Sequence, residues 1–182
     1  INGTVVQQAT TVWESYDLRT GQIYWDQTGI NQIPTLISYG SSNPSVPGAT
    51  AGETTSISLV YIASGRLVTY DPYTGAVILN ISIPVTTGTL YADPFVLSVQ
   101  KLGSGATTTY RLINWTITGT NTNFTTRIMG NVSYPFSSIG TADYESMIAV
   151  GTASISSTAT GVAIGQIVMG ASLTTGQLLW NV

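Results

Sequence analysis

Short apolar runs, separated by Gly, Ser, Thr and Asn, recur along the whole chain. β-branched and aromatic residues fill these runs, and the period of an amphipathic helix is nearly absent, which is typical of β-strands. Alternate residues of the run AVILNISI are expected to share one strand face, and they are Val77, Leu79, Ile81 and Ile83. The pattern predicts strands at 9–18, 22–28, 33–39, 55–63, 66–71, 76–83, 94–101, 107–117, 122–129, 145–154, 161–173 and 177–182. Segments rich in small residues predict loops at 40–54, 84–93, 102–106, 134–143 and 155–160.

A strand, a tight Thr-Gly turn and a second strand follow one another in three similar segments, YDLRTGQIYW, YDPYTGAVIL and ASLTTGQLLW. Glycine after the Thr supplies the positive φ that a hairpin turn requires. Asp17 and Asp71 precede the Thr by three residues, where a carboxylate accepts hydrogen bonds from backbone N–H groups of the turn. A weaker fourth copy, WTITGTNTNF, has Phe124 one position late. The Thr positions 20, 74, 118 and 175 lie 44 to 57 residues apart, close to the ~40–50 residues of a four-stranded propeller blade.

These segments resemble the repeats of the pyrroloquinoline-quinone-type β-propellers, whose pattern is roughly Asp-x-x-Thr-Gly-x-x-x-x-Trp. In that family the Trp docks a blade onto its neighbour, and the Gly makes the turn between the outer strands. The best match to the family pattern consists of Asp17, Thr20, Gly21 and Trp25. The second match consists of Asp71, Thr74 and Gly75, with Leu79 in the Trp position. The third consists of Thr175, Gly176 and Trp180, with Ser172 in the Asp position.

The pattern and the resemblance together predict an all-β fold of antiparallel sheets, with about four propeller-like blades forming a partial propeller. The alternative is a β-sandwich that uses the same turn. We expect residues 1–182 to form a single module that belongs to a longer precursor or assembly. The family includes quinone-dependent alcohol dehydrogenases, which bind their cofactor with charged groups, Ca²⁺ and a disulfide of adjacent cysteines. That constellation is not visible in this sequence, so the resemblance implies an architecture without the activity.

The low content of charged residues mainly excludes classes of function. Charged residues make up 7% of the chain, against roughly 25% in ordinary globular proteins. Five Lys and Arg residues and a net charge of −3 cannot form a phosphate-binding patch, which argues against a nucleic acid partner. No apolar run reaches the ~20 residues of a membrane helix. The absence of Cys and His excludes thiolate and imidazole metal sites and the Ser-His-Asp and Cys-His catalytic groups.

Two pairs of carboxylates are candidates for acid–base catalysis, Glu14 with Asp17 and Asp143 with Glu145. The turn role of Asp17 and the strand-edge setting of the glutamates favour structural roles instead. We therefore predict no catalytic residue, no cofactor and no metal ion. Because so few groups titrate, we also expect nearly equal unfolding midpoints at pH 2 and pH 7.

Asn-x-Ser/Thr triplets indicate N-glycosylation, and they begin at Asn2, Asn80, Asn114, Asn123 and Asn131. In a strand, the Asn and its Ser or Thr share one face, while the middle residue points to the other. The middle residues of four triplets are large and apolar: Ile81, Trp115, Phe124 and Val132. The sequence therefore predicts asparagines that face water above buried anchors.

The function predicted from these features is that of a non-enzymatic, extracellular or cell-surface glycoprotein module with a structural or adhesive role. It would self-associate through edge strands in a surface layer or filament, with its own copies or neighbouring surface proteins as partners. The segments 1–12 and 177–182 are candidates for completing a neighbour's sheet. Two alternatives remain: a fragment of a quinoprotein-like dehydrogenase, and a carbohydrate-binding module that uses Tyr24, Tyr73 and Tyr134.

Overall fold

A computed structural model of the chain describes residues 12–29, 31–39, 57–156, 161 and 163–182. Among these residues the regular structure is β-strand, apart from two single-turn 3-10 helices at Gly105–Thr107 and Phe124–Arg127. The strands are β1 (Val12–Tyr16), β2 (Ile23–Thr28), β3 (Leu36–Ser38), β4 (Ser58–Ala63), β5 (Arg66–Tyr70), β6 (Val77–Ser82), β7 (Thr89–Ala92), β8 (Phe95–Leu102), β9 (Thr109–Thr116), β10 (Ile128–Tyr134), β11 (Thr141–Asp143), β12 (Ile148–Ser156), β13 (Ala163–Ser172) and β14 (Leu178–Asn181). Asn2, most of the segment 1–12 and the predicted loop 40–54 lie outside the described residues.

Consecutive strands pair antiparallel and form four separate sheets. We name them sheet A (β1–β2), sheet B (β3–β6), sheet C (β7–β10) and sheet D (β11–β14). Within each four-stranded sheet the strands lie side by side in chain order. The predicted all-β, antiparallel fold is therefore confirmed, and the four sheets are consistent with a partial propeller or a sandwich.

All four sheets share one irregularity, a β-bulge of one residue on the last strand, where it pairs with the strand before it. In sheet A, Ser15 pairs with Trp25 and Tyr16 with Ile23, so that Tyr24 is the extra residue. The corresponding bulged residues in sheets B, C and D are Ile78, Met129 and Leu179. Sheet A thus corresponds to the last two strands of the other sheets.

The bulge at Ile78 corrects one prediction made from the alternating pattern of β6. Val77 was expected to share a face with Leu79, but the two residues pair with adjacent residues of β5, Tyr70 and Thr69. Adjacent positions on a strand face opposite sides. Val77 is accordingly 55% exposed, while Leu79, like the Ile residues beyond it, is buried.

Sheet C is covered on both faces, which explains why its central strand β9 is apolar at consecutive positions. Ile113 and Trp115 belong to a buried cluster that also contains residues of sheet B, including Leu67. Leu112 belongs to a second buried cluster, shared with sheet D residues such as Ala171. Burial of each apolar side chain contributes ~1.5–3 kcal/mol relative to exposure, so these two clusters hold sheets B, C and D together.

Three predicted segments are assigned to the wrong type of structure. β7 and β11 fall inside the predicted loops 84–93 and 134–143, because strands of four and three residues are too short to show an alternating pattern. The predicted strand 122–129 is mostly a loop and 3-10 helix, and β10 begins only at Ile128.

Arg127 determines the structure of the connection between β9 and β10. Its guanidinium is buried and donates hydrogen bonds to the backbone carbonyls of Thr118, Gly119 and Asn121 at 2.7 Å. The predicted fourth Thr-Gly turn, Thr118-Gly119, lies between β9 and β10 as expected, but it is part of a longer loop. Phe124 is in the 3-10 helix, where its ring packs edge-on against Trp115 at 5.2 Å.

No helix among the described residues has the length and apolar character needed to cross a lipid bilayer.

Replacing Tyr134 by Phe is expected to change the alkaline limb of the stability curve. The Tyr134 hydroxyl is buried and has no hydrogen-bond partner among the described residues, and burial raises its pKa from the ordinary 10.0 to about 12. The phenol stays neutral in the folded state while the unfolded chain ionises, so its contribution is complete below pH 10.0 and is lost as the pH rises to about 12. Tyr134→Phe removes this part of the alkaline loss.

The measurement is the chemical-denaturation midpoint as a function of pH. At neutral pH the variant should match the native stability within about 1 kcal/mol, because the lost hydroxyl makes no hydrogen bond. Tyr39→Phe makes the same change at an exposed ring and should leave the alkaline limb unchanged. An identical alkaline limb for Tyr134→Phe and the native chain would contradict this assignment.

Candidate functional site

The three Thr-Gly turns of sheets A, B and D have the same hydrogen bonds. In each turn the glycine N–H donates to the carbonyl of the residue four positions earlier, Asp17, Asp71 or Ser172, at 2.8–2.9 Å. The φ angles of Gly21, Gly75 and Gly176 are 71°, 69° and 71°, in the left-handed region that favours glycine. The three sequence copies are therefore three copies of one local structure.

The residue at the first position of each turn also accepts backbone hydrogen bonds through its side chain. Asp71 Oδ1 accepts from the N–H groups of Tyr73 and Thr74 at 2.8 and 2.9 Å. Asp17 has the same two contacts, at 2.7 and 3.0 Å. Ser172 Oγ takes the place of the carboxylate in sheet D and accepts from two N–H groups at 3.2 Å.

These hydrogen bonds stabilise the ionised carboxylates. The backbone N–H groups of Arg19 and Thr20 lower the pKa of Asp17, and the backbone N–H of Tyr73 lowers the pKa of Asp71. Asp143 heads a similar turn between β11 and β12, where the Ser146 hydroxyl and two backbone N–H groups lower its pKa. Each of the two carboxylate pairs considered for acid–base chemistry thus contains an aspartate that accepts hydrogen bonds from its own turn.

Trp25 joins sheet A to the Thr-Gly turn of sheet B. Its Nε1 donates to the backbone carbonyl of Pro72 at 2.8 Å, and the Ser15 hydroxyl donates to the same oxygen at 2.7 Å. A Cβ at Gly75 would lie 2.9 Å from Trp25 Cδ2, so the ring lies directly on the glycine backbone. Trp25 is 9% exposed.

Two neighbours extend this contact between sheets A and B. Gln27 Nε2 donates to the carbonyl of Gly75 at 3.2 Å. The rings of Tyr24 and Tyr73 meet edge to face at 5.6 Å. Pro72, Ser15 and Gln27 were not predicted from the sequence, because Pro72 contributes a backbone atom and the other two side chains are common polar residues.

The next two interfaces use the same turn positions without a Trp. In sheet B the Trp position holds Leu79, which lies in one buried cluster with Phe124 of the 3-10 helix between β9 and β10. In sheet C the register places Gly130 there. The turn glycine of sheet D, Gly176, then packs against the backbone carbonyl of Ser133, leaving no space for a Cβ.

Trp180 repeats the position of Trp25 on the last sheet, but its outer surface is uncovered. Its ring lies against Gly170 of its own sheet, and it remains 42% exposed. Its indole nitrogen has no hydrogen bond to any residue that the structure describes. At the other end of the series, the turn of sheet A is also open within the described part of the chain, where no atom lies within 4 Å of a Cβ built on Gly21.

Sheet A leaves an edge and a cleft beside β1. The equivalent strand of sheet B, β5, pairs with β4 along five residues, whereas β1 pairs only with β2 in the described part of the chain. A cleft of about 440 Å³ lies between sheets A and B. Its lining includes Trp13, Tyr16, Leu36 and Leu59, with Glu14 at the edge strand.

The four described sequons differ in how their asparagines are engaged. Asn80, Asn123 and Asn131 are exposed, and the middle residues Ile81 and Phe124 are buried. The Oδ1 atoms of Asn80 and Asn123 accept hydrogen bonds, from Arg66 and from the Thr125 N–H, which leaves each amide nitrogen available.

Asn114 differs from these three because it is half-buried and its Nδ2 donates to the Tyr91 hydroxyl at 2.9 Å. The amide nitrogen is the atom to which an N-glycan is attached, so this contact occupies the reactive position. Its middle residue Trp115 is fully buried.

The aromatic set proposed for sugar binding does not form one surface. Tyr24 and Tyr73 are exposed and adjacent. Tyr134 is 5% exposed and lies in the cluster between sheets C and D, so the prediction that it presents an exposed ring is wrong. No group of three or more acidic side chains able to hold a metal ion occurs among the described residues.

The lowered carboxylate pKa values predict a loss of stability in acid, in contrast to the nearly equal midpoints at pH 2 and pH 7 expected from the small number of titrating groups. A lowered folded-state pKa contributes stability above the unfolded value of 3.8, and this contribution is lost as the pH falls through the folded value. Asp71→Ser copies the arrangement at Ser172. At neutral pH it should cost about 1 kcal/mol or less, and the fall of the unfolding midpoint between neutral pH and pH 2 should become smaller.

Asp26→Ser is the matched control, since Asp26 is an exposed carboxylate on β2. The two variants lose the same charge, so general charge effects change both curves equally. Equal acid sensitivity of Asp71→Ser and Asp26→Ser would rule out a special role for the turn carboxylate.

No family model matches the chain, and no curated protein matches it.

Proposed function

We propose that the chain is a non-catalytic, extracellular or cell-surface glycoprotein module, built on quinoprotein-like repeats, that self-associates by adding a strand to sheet A. The observation that carries this proposal is the two-stranded sheet A, which has the bulge and turn of the four-stranded sheets but lacks their first two strands among the described residues. The function is structural or adhesive, in a surface layer or filament.

The edge of β1, which pairs with no described strand other than β2, has the features of a strand-accepting site. An unpaired edge presents backbone N–H and C=O groups that bind another strand. The cleft beside it provides apolar surface from Trp13, Leu36 and Leu59, which alternate side chains of an added strand would cover. Val12 and Tyr16 on β1 are themselves exposed.

The ionisable groups support a structural role over a catalytic one. Asp17, Asp71 and Asp143 accept hydrogen bonds from their own turns. The Arg127 guanidinium is buried against backbone carbonyls. Groups used in this way are fixed in one charge state near neutral pH, whereas acid–base catalysis requires a group whose pKa lies near the working pH.

The sequon geometry supports a glycoprotein. Asn80, Asn123 and Asn131 are exposed, and their amide nitrogens donate to no described residue. The buried side chains of Ile81 and Phe124 anchor the backbone beside the first two. Sugars at these positions would supply the solvation that a chain with 7% charged residues otherwise obtains only from hydroxyl and amide groups.

Charges placed on the β1 edge should weaken self-association. The double variant Val12→Lys/Tyr16→Lys replaces two exposed residues of β1 by lysines, which natural edge strands use to prevent pairing. Loss of two cross-strand contacts predicts an association constant lower by about tenfold. Sedimentation velocity over a range of concentrations measures the change.

The control, Val77→Lys/Ile78→Lys, adds the same charge and removes similar exposed apolar surface on β6. It should assemble like the native chain. Equal weakening in both double variants would show that charge alone is responsible, and a native chain that stays monomeric at all concentrations would refute self-association.

Sequon occupancy is the second measurable consequence. In protein from the native source, enzymatic release of N-glycans converts each occupied Asn to Asp, which peptide mass spectrometry locates. We expect conversion at Asn80, Asn123 and Asn131, and none at Asn114, because its amide nitrogen is bonded to Tyr91. Absence of conversion at all three exposed sites would contradict the glycoprotein assignment.

A further inference from the structure

The contact between sheets A and B defines a complete docking interaction within this chain. Its donor side is Trp25, whose ring and indole N–H face away from sheet A. Its acceptor side is the turn of sheet B, where the Pro72 carbonyl accepts the hydrogen bond and Gly75 receives the ring. The acceptor glycine has no Cβ, and one built there would lie 2.9 Å from the ring.

The same two sides are present elsewhere without their partners. Trp180 of sheet D occupies the Trp25 position, opposite Gly170 at the equivalent bulge, and it is 42% exposed. The turn of sheet A has the hydrogen bonds of the sheet B turn, with Leu18 in the position of Pro72 and Gly21 in that of Gly75. Leu18 is 88% exposed, and no described residue lies within 4 Å of a Cβ built on Gly21.

We propose that Trp180 of one copy docks onto the Asp17–Gly21 turn of a second copy, so that chains associate head to tail. The Trp180 indole N–H donates to the Leu18 backbone carbonyl of the second copy, and the ring packs on Gly21. This inference deepens the proposed self-association and rests on it, but it uses a different surface from the β1 edge.

A second copy is the occupant for which the chain itself provides the complementary surface. The two sides do not meet within one chain, since Trp180 is a described residue and no described residue lies within 4 Å of a Cβ built on Gly21. Both are available on every copy, and they are different surfaces. A contact between two different surfaces is heterologous, and it generates a closed ring or an open filament according to the rotation between copies.

Two single variants remove the two sides separately. Trp180→Ala deletes the donor ring. Gly21→Asn adds a side chain to the acceptor turn, and Asn is among the residues that best tolerate the positive φ of 71° found there. A buried aromatic anchor contributes at least about 2 kcal/mol to an interface, so each variant should weaken association by about 30-fold or more.

Matched controls keep the chemistry and move the position. Leu179→Ala removes an exposed apolar side chain from the same strand as Trp180. Gly119→Asn introduces the same residue at another open glycine with positive φ, 83°, in the β9–β10 loop. Both controls should assemble like the native chain, and circular dichroism verifies that every variant is folded.

Mixing the two variants tests the direction of the contact. Trp180→Ala retains an intact turn, and Gly21→Asn retains an intact Trp180. An equimolar mixture should therefore form a heterodimer with one native interface, which sedimentation velocity detects as a species of twice the chain mass. Both variants carry Val12→Lys/Tyr16→Lys in this experiment, which removes pairing at the β1 edge, so neither alone should form that species at the same concentration.

The results distinguish the Trp180 contact from the proposed self-association through the β1 edge. Assembly that is lost in Val12→Lys/Tyr16→Lys but unchanged in Trp180→Ala and Gly21→Asn overturns the Trp180 contact and leaves self-association through β1. Weakening in both variants with no complementation in the mixture also overturns the head-to-tail contact. A native chain that remains monomeric refutes both.

Discussion

The spacing of the sheets depends on the close approach of one sheet's fourth strand to the next sheet's turn. At the first interface the ring of Trp25 lies on Gly75, and at the third the backbone of Ser133 lies on Gly176. Glycine is required twice over at these positions, because the turn has positive φ and because a Cβ would occupy the space of the neighbouring sheet. A single residue type thus closes the hairpin and sets the distance at which the next sheet packs.

The turns also explain how a chain with so few charges remains ordered. Its charged groups act mainly on backbone groups: Asp71 accepts two N–H bonds, Asp93 accepts from the Tyr39 N–H and the Ser38 hydroxyl, and Arg127 donates to carbonyls. The Ser172 hydroxyl performs the carboxylate's task in sheet D. Since a neutral hydroxyl suffices, the turn requires a short acceptor side chain and not a charge, and the fold can be stable without a network of ion pairs.

Much of this arrangement could be predicted from the sequence. Apolar alternation gave the all-β fold and most strands, and the Thr-Gly segments gave the turns, because both depend on interactions within about ten residues. The bulge that turns Val77 outward could not be predicted, since it appears only in the pairing with β5. The burial of Arg127 and Tyr134, and the role of the Pro72 carbonyl, depend on residues from other strands or sheets. Every residue has a backbone carbonyl, so the sequence does not indicate which one accepts a hydrogen bond. The role of the Pro72 carbonyl is therefore visible only in the three-dimensional structure.

A docking Trp occurs where two sheets share few other contacts, and it is absent where they share a buried cluster. Sheets B, C and D share two buried clusters, and in these sheets Leu79 and Gly130 replace the ring at the internal interfaces. Neither cluster includes a described residue of sheet A, so Trp25 and the hydrogen bonds to Pro72 take the place of a core there. A contact between separate chains lacks both a shared core and a covalent connection, and it must also offset the loss of translational freedom. By this reasoning a ring would be most useful in the proposed contact of sheet D with a second copy, and Trp180 is the residue found at that position of sheet D.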